Sequence, residues 1–123
     1  MKHWNELPNH KALLDRLRKI CLQWPETAEA IKWGHPTFVA GKKLFAGFGE
    51  HDDRLVVGFW LPPELWDKLV DNVTMIPAPY SARFGWVNVF LDKKVNWKTL
   101  EAHLVESYKH AALKRMIAKL DTK

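Results

Sequence analysis

Two stretches of this sequence, "RLVVGFWL" at residues 54–61 and "FGWVNVFL" at residues 84–91, alternate with period two, and both alternating sets are largely apolar. Leu55, Val57, Phe59 and Leu61 form one set of the first stretch; Val56, Gly58 and Trp60 form the other. In the second, Val87, Val89 and Leu91 alternate with Phe84, Trp86, Asn88 and Phe90. Successive strand side chains point to opposite faces, so the chain must build a sheet with one aliphatic and one aromatic face. A sheet with one wet face would alternate apolar with polar instead.

The aliphatic face is the natural bed for helices. Two readings stand for the other. Either a terminal helix or the 72–83 segment covers it as a second core, or its aromatics form an accessible patch or shallow groove suited to binding or self-association. Trp60, Trp86, Asn88 and Phe90 belong to this face, with Phe45 joining them across the pairing, and Gly47 and Gly58 keep it open. Asn88 favours the groove. A dry core must satisfy a buried amide fully, whereas a wet groove lets water or a ligand do so.

The remaining elements follow from pattern and punctuation. Asn9 is placed to cap a first helix whose stripe is Leu13, Leu14, Leu17, Ile20, Cys21 and Trp24. "PETAEAIKW" from Pro25 reads as a short second helical piece, broken by Gly34, His35 and Pro36. "TFVA", "LFAGFG" and "RLVVGFWL" then form an antiparallel meander, with turns at Gly41-Lys42 and at "EHDD". Pro62 and Pro63 open a helix through Asp71, residues 73–76 form a short strand, and Asn96 caps a final helix whose stripe runs from Trp97 to Met116. The expected architecture is α+β: two layers, an antiparallel sheet of about five strands, and helices on one face. One domain spans residues 1–123.

The net charge of +5 is unevenly placed. Residues 1–24 carry +3, residues 25–53 carry −2, residues 54–91 are neutral, and residues 92–123 carry +4. Such an excess suits a polyanion or simply keeps helices soluble. The single cysteine, Cys21, lies on the first helix's apolar stripe and reads as a small core side chain. No apolar run approaches the ~20 residues of a membrane helix, and the start carries no apolar signal core, so a cytoplasmic protein is expected.

Three stretches carry a family resemblance. "KWGHPTFVAGKKLFAGF" (32–48) resembles the Gly-x-Pro-x-Phe segment and hairpin of the MmcQ/YjbR family. "PAPYSARFGWVNVFL" (77–91) resembles its Pro-x-Tyr segment with a Gly-Trp strand, and "SYKHAALKRM" (107–116) its closing helix with a Lys-Arg pair. One departure is Phe84, where the family often has proline. The resemblance implies a CyaY-like fold, related in shape to secretion chaperones, in small bacterial proteins of unestablished activity. It also implies DNA binding through a double-wing motif, by fold analogy.

Phosphate-loop and dinucleotide fingerprints are absent from the sequence. The six histidines show no metal-ligand spacing, so neither metal nor cofactor is expected. The leading expectation is a monomeric, non-enzymatic nucleic-acid-binding module. Lys42, Lys43, Lys93, Lys94, Lys114 and Arg115 would contact phosphates while aromatics stack on bases. The alternatives are a protein- or peptide-interaction module of chaperone type, or a small-ligand binder on the aromatic face. For these the candidate residues are His35, Trp60, Tyr80, Arg83, Trp86, Asn88 and Phe90. Arg83 is the candidate for a phosphate or carboxylate.

Overall fold

The computed structural model describes residues 1–121. Its elements are α1 (His10–Cys21), β1 (Thr27–Lys32), β2 (His35–Ala40), β3 (Lys43–His51), β4 (Arg54–Trp60), α2 (Pro63–Leu69), β5 (Met75–Pro77), β6 (Trp86–Phe90), α3 (Trp97–Ala111) and α4 (Lys114–Asp121). Six strands form one antiparallel sheet in the order β1-β2-β3-β4-β6-β5, and helices pack against it as an α+β fold.

Two-residue turns set the register of the first four strands. Lys32 pairs with His35, Ala40 with Lys43, and His51 with Arg54. Trp33-Gly34 and Asp52-Asp53 hold φ positive at both positions, as a type I′ hairpin turn requires, while Gly41 supplies the single positive φ of its turn.

Residues 27–32 are a strand, not the helical piece expected from their Ala and Glu content. The Trp33-Gly34 hairpin pairs them with β2 along their whole length. Glu29 is held by Arg18 of α1 at 2.6 and 3.0 Å, and the Thr37 hydroxyl donates to the Ala30 carbonyl at 2.7 Å. As an edge strand, β1 has no need of a continuous apolar pattern, and pairing overrides its helix propensity.

The helix expected to run to Met116 ends at Ala111. Ala112 turns extended (φ −73°, ψ 153°), and α4 starts in a new direction. That turn packs Met116 so closely on Gly41 that a Cβ there would lie 2.7 Å from its Cε. Asn96 caps α3 as expected, accepting from the Thr99 amide at 3.1 Å. Asn9 occupies the cap position of α1 but adopts a left-handed conformation (φ 67°) and offers no side-chain cap.

The core lies between the sheet and the helices. Leu14, Leu17, Ile20 and Cys21 of α1 meet Leu55, Val57, Phe59, Leu61 and Val87, and Leu100, Leu104 and Tyr108 of α3 close it. Cys21 is fully buried, and burial pushes its thiol well above the ordinary thiol range. Phe45 is also in this core, not on the aromatic face. A bulge between the Phe38–Ala46 and Val39–Leu44 pairs turns it inward, between Trp24 (5.9 Å) and Tyr108 (5.5 Å). Ser107 of α3 secures the same region: its hydroxyl donates to the Phe45 carbonyl at 2.6 Å and accepts from the Trp60 amide at 3.0 Å.

Candidate functional site

The pairing register lays one row of residues across all six strands: Ala30, Thr37, Gly47, Gly58, Asn88 and Ile76. Directly paired residues share a face, and this row lies on the face away from the core. Four of the six are Ala, Thr or Gly, so the row is a trough running across the strands. Trp60 and Trp86, themselves a pair, stand in the row on one side. Gly49, Val56 and Phe90 form the row on the other.

The 78–86 segment crosses part of this face and leaves two joined spaces. A groove of about 800 Å³ is lined by Thr37, Leu44, Gly47, Phe84, Trp86 and Trp33, with Lys43 and His110 at its margin. A smaller recess of about 210 Å³ includes His35, Glu50, Ser81 and Asn88 among its walls. Gly47, Ser81 and Trp86 border both. Trp33 (84% exposed) and Phe84 (64%) form accessible apolar rims.

Glycine makes room for the polar groups. A Cβ on Gly49 would come within 2.8 Å of the His35 ring, and one on Gly58 within 2.7 Å of Asn88 Oδ1. His35 Nε2 lies 3.1 and 3.2 Å from the two Glu50 carboxylate oxygens, and Glu50 also accepts from the Trp4 amide at 3.1 Å. The His35 ring stacks on His3 at 5.7 Å. The Asn88 amide and the Ser81 hydroxyl make no hydrogen bond among the described residues, and neither is fully buried. Together the Asn88 amide and the Ser81 hydroxyl offer donors and acceptors at the end of an apolar groove.

The other sequence-derived candidates lie elsewhere. Phe90 is buried, with the Arg54 guanidinium 3.7 Å above its ring, and Asp92 holds Arg54 through contacts of 2.7 and 2.8 Å. Phe90 stands in the outward row as expected, but this cover removes it from the accessible surface. Trp60 is half-buried, with His110 flat on its indole at 3.7 Å. Tyr80 is wholly exposed, and Arg83 lies 4.8 Å over the Phe84 ring. Neither lines the groove with Trp86. Phe84 precedes the strand, in a 3-10 turn ended by Gly85. Gly85 has a φ of +89°, and a Cβ on it would meet Trp60 Nε1 at 2.9 Å, so glycine before Trp86 is required by both backbone and space.

The basic candidates form two groups. Lys42 and Lys43 sit at the β2–β3 turn, beside Lys114 and Arg115 of α4, through the Gly41–Met116 contact. Glu26 pairs with Arg115 and with Lys119. Lys93 and Lys94 follow β6 at the opposite end of the sheet, separated from Lys43 by roughly 25 Å, the length of β3. Among the described residues, no single basic stripe joins the groups.

Thr37, Glu50 and Ser81 were not among the sequence candidates, nor were Leu44 and Trp33. Trp33 was hidden by the helical reading of residues 25–33. The row itself depends on register across turns and a bulge, which no local pattern reveals. Among the described residues, no three of His, Cys, Asp and Glu gather as a metal-binding set, and no helix is long and apolar enough to cross a membrane.

The fold is shared with two crystal structures of low sequence identity. A Deinococcus radiodurans protein, DR2400, with the family-model domain DUF419, is 24% identical with a TM-score of 0.71, covering 87% of this chain and 86% of its own. A Pseudomonas syringae protein is 18% identical with a TM-score of 0.64, covering 82% of this chain and 97% of its own. No curated protein matches the sequence. The YjbR family model matches residues 22–110, a span from the end of α1 to the last turn of α3 that contains the trough, its glycines and the Gly-Trp strand. The chain belongs to the YjbR family.

Proposed function

We propose that this protein is a non-enzymatic binding module that takes a small, largely apolar ligand with a polar end in the cross-strand trough. The supporting observation is the row of small residues between Trp86 and the His35–Val56 side, which opens a groove of ligand size. Pockets of this kind are mostly apolar, with a few convergent polar groups that fix orientation. Here the planar part of a ligand packs between Trp86 and the rims Trp33 and Phe84. Its polar end meets the Asn88 amide and the Ser81 hydroxyl, while the paired His35 and Glu50 close the recess. The Glu50 carboxylate fixes the orientation of the imidazole through Nε2.

Indole, a neutral planar probe, tests this reading in a two-dimensional NMR titration. Saturable shifts of the Trp33 and Trp86 indole N–H signals and the Gly47 amide support it. Shifts scattered over the surface, or none, contradict it.

A second reading is supported by Lys43 at the groove margin and Lys42 and Lys114 nearby. Single-stranded nucleic acid would lie along this end, with bases stacked on the exposed Trp33 and Phe84. Binding that weakens steeply with salt and with Lys42→Ala plus Lys43→Ala is its signature.

A further inference from the structure

A second cavity, of about 570 Å³, opens on the helix side of the sheet. It lies between the last turn of α2, the 71–75 turn, the 92–96 loop and the first two turns of α3. Met75, Val89, Val95 and Leu100 form its apolar wall, and His103 borders it. Burial holds the His103 imidazole below its ordinary pKa of 6.5, and the ring stacks on Phe59 at 5.8 Å.

Five charged groups line this cavity: Arg54, Lys68, Asp71, Lys93 and Lys94. Asp92 balances Arg54. Asp71 is turned into its own loop, where it accepts from the amides of Val73 (2.8 Å), Thr74 (2.7 Å) and Met75 (2.9 Å) and from the Thr74 hydroxyl (2.5 Å). Lys68, Lys93 and Lys94 have no carboxylate partner among the described residues. Three ammonium groups from two separate segments thus share one cavity, none of them in a direct ion pair among the described residues, with the Asp92 carboxylate acting on Lys93 only through space and Asp71 committed to its own loop. The start of α3 adds the positive end of a helix dipole to the same field.

We propose that this cavity is a site for a small amphipathic dianion, an organic phosphate monoester. Its phosphate sits among Lys68, Lys93 and Lys94, and its apolar body lies on Met75, Val89 and Leu100. Three ammonium groups match a dianion better than a monoanion, because each contact to the charged oxygens is charge-assisted. The apolar wall requires more than bare phosphate, since burying a ring there adds the favourable transfer of its surface out of water. The site is separate from the trough and stands or falls independently of it.

Titration with phenyl phosphate, followed by the amide signals of Val73, Met75, Val95 and Leu100, tests the proposal. Inorganic phosphate and phenol serve as the two partial probes. The expected result is saturable binding of phenyl phosphate, weaker binding of inorganic phosphate, and no saturation by phenol. The variant Lys68→Ala, Lys93→Ala, Lys94→Ala alters only exposed side chains and should weaken phenyl phosphate roughly tenfold or more. Gly47→Val, in the trough, should leave that binding unchanged. Equal affinity of phenyl phosphate for the triple variant and the parent would overturn the proposal. So would shifts centred on Trp33 and Trp86, or inorganic phosphate binding as tightly as phenyl phosphate.

Discussion

Gly58 and Asn88 face one another across β4 and β6, so closely that a methyl group on Gly58 would lie 2.7 Å from Asn88 Oδ1. The absent side chain at one position creates the seat for the amide at the other. Gly58→Ala should therefore push the Asn88 amide aside at a cost of up to about 1 kcal/mol, because that amide is the free end of a side chain with no hydrogen bond among the described residues to lose. Adding Asn88→Ala should restore most of that loss. Denaturant unfolding of the two single variants and the double variant measures the coupling, and additive losses would show that the two positions do not compete for space.

Ser107 should matter more for stability than its size suggests. Its hydroxyl serves the Phe45 carbonyl and the Trp60 amide at once, in the region where β3 bulges. Ser107→Ala leaves both backbone groups short of a partner, at an expected cost of about 2 kcal/mol. Amide exchange at Trp60 should accelerate in the same variant.

Much of this architecture was legible in advance, for identifiable reasons. The meander β2-β3-β4 follows from period-two patterning and turn residues, and both strand faces were separable from residues 54–61 and 84–91 alone. Gly47 and Gly58 already marked the aromatic face as open, and the structure pairs them at its centre. The misreadings have a common origin in tertiary contacts. Residues 27–32 have helix-forming composition, yet β2 and Arg18 hold them as a strand. Phe45 is turned inward by a bulge that has no local signature. Phe90 sits at an outward-facing position, but Arg54 and Asp92, distant in sequence, cover it.

Asp71 provides a pH test of the 71–75 turn that lines the helix-side cavity. Hydrogen bonds from Met75, Thr74 and Val73 hold its carboxyl well below its ordinary 3.8. A carboxyl lowered in this way contributes stability above its unfolded pKa, and that stability is lost as pH falls through 3.8 toward the folded value. Asp71→Asn should thus be less stable than the parent near neutral pH, and the gap should narrow as pH drops below 3.8. Paired denaturation curves at neutral and strongly acidic pH measure it, and a gap independent of pH would contradict the account.

Glu26 restrains the basic group at the α4 end, since it pairs with both Arg115 and Lys119. If single-stranded nucleic acid binds there, Glu26→Gln should strengthen binding at low salt and steepen its salt dependence. A fluorescence-anisotropy titration with a labelled oligonucleotide reads both effects. Unchanged binding would remove the α4 end from the nucleic-acid reading.

Gly47 gives the most direct test of the trough. It sits in mid-strand at the centre of the cross-strand row, and a Cβ there would meet only Thr37 Cγ2 at an ordinary 3.8 Å. Valine at this position is compatible with the strand and fills the floor of the groove without straining the backbone. The measurement is an NMR titration of Gly47→Val and the parent with indole. The account predicts that the variant stays within about 1 kcal/mol of the parent in stability while losing the saturable Trp33 and Trp86 shifts. A folded Gly47→Val protein that binds indole as the parent does would contradict it.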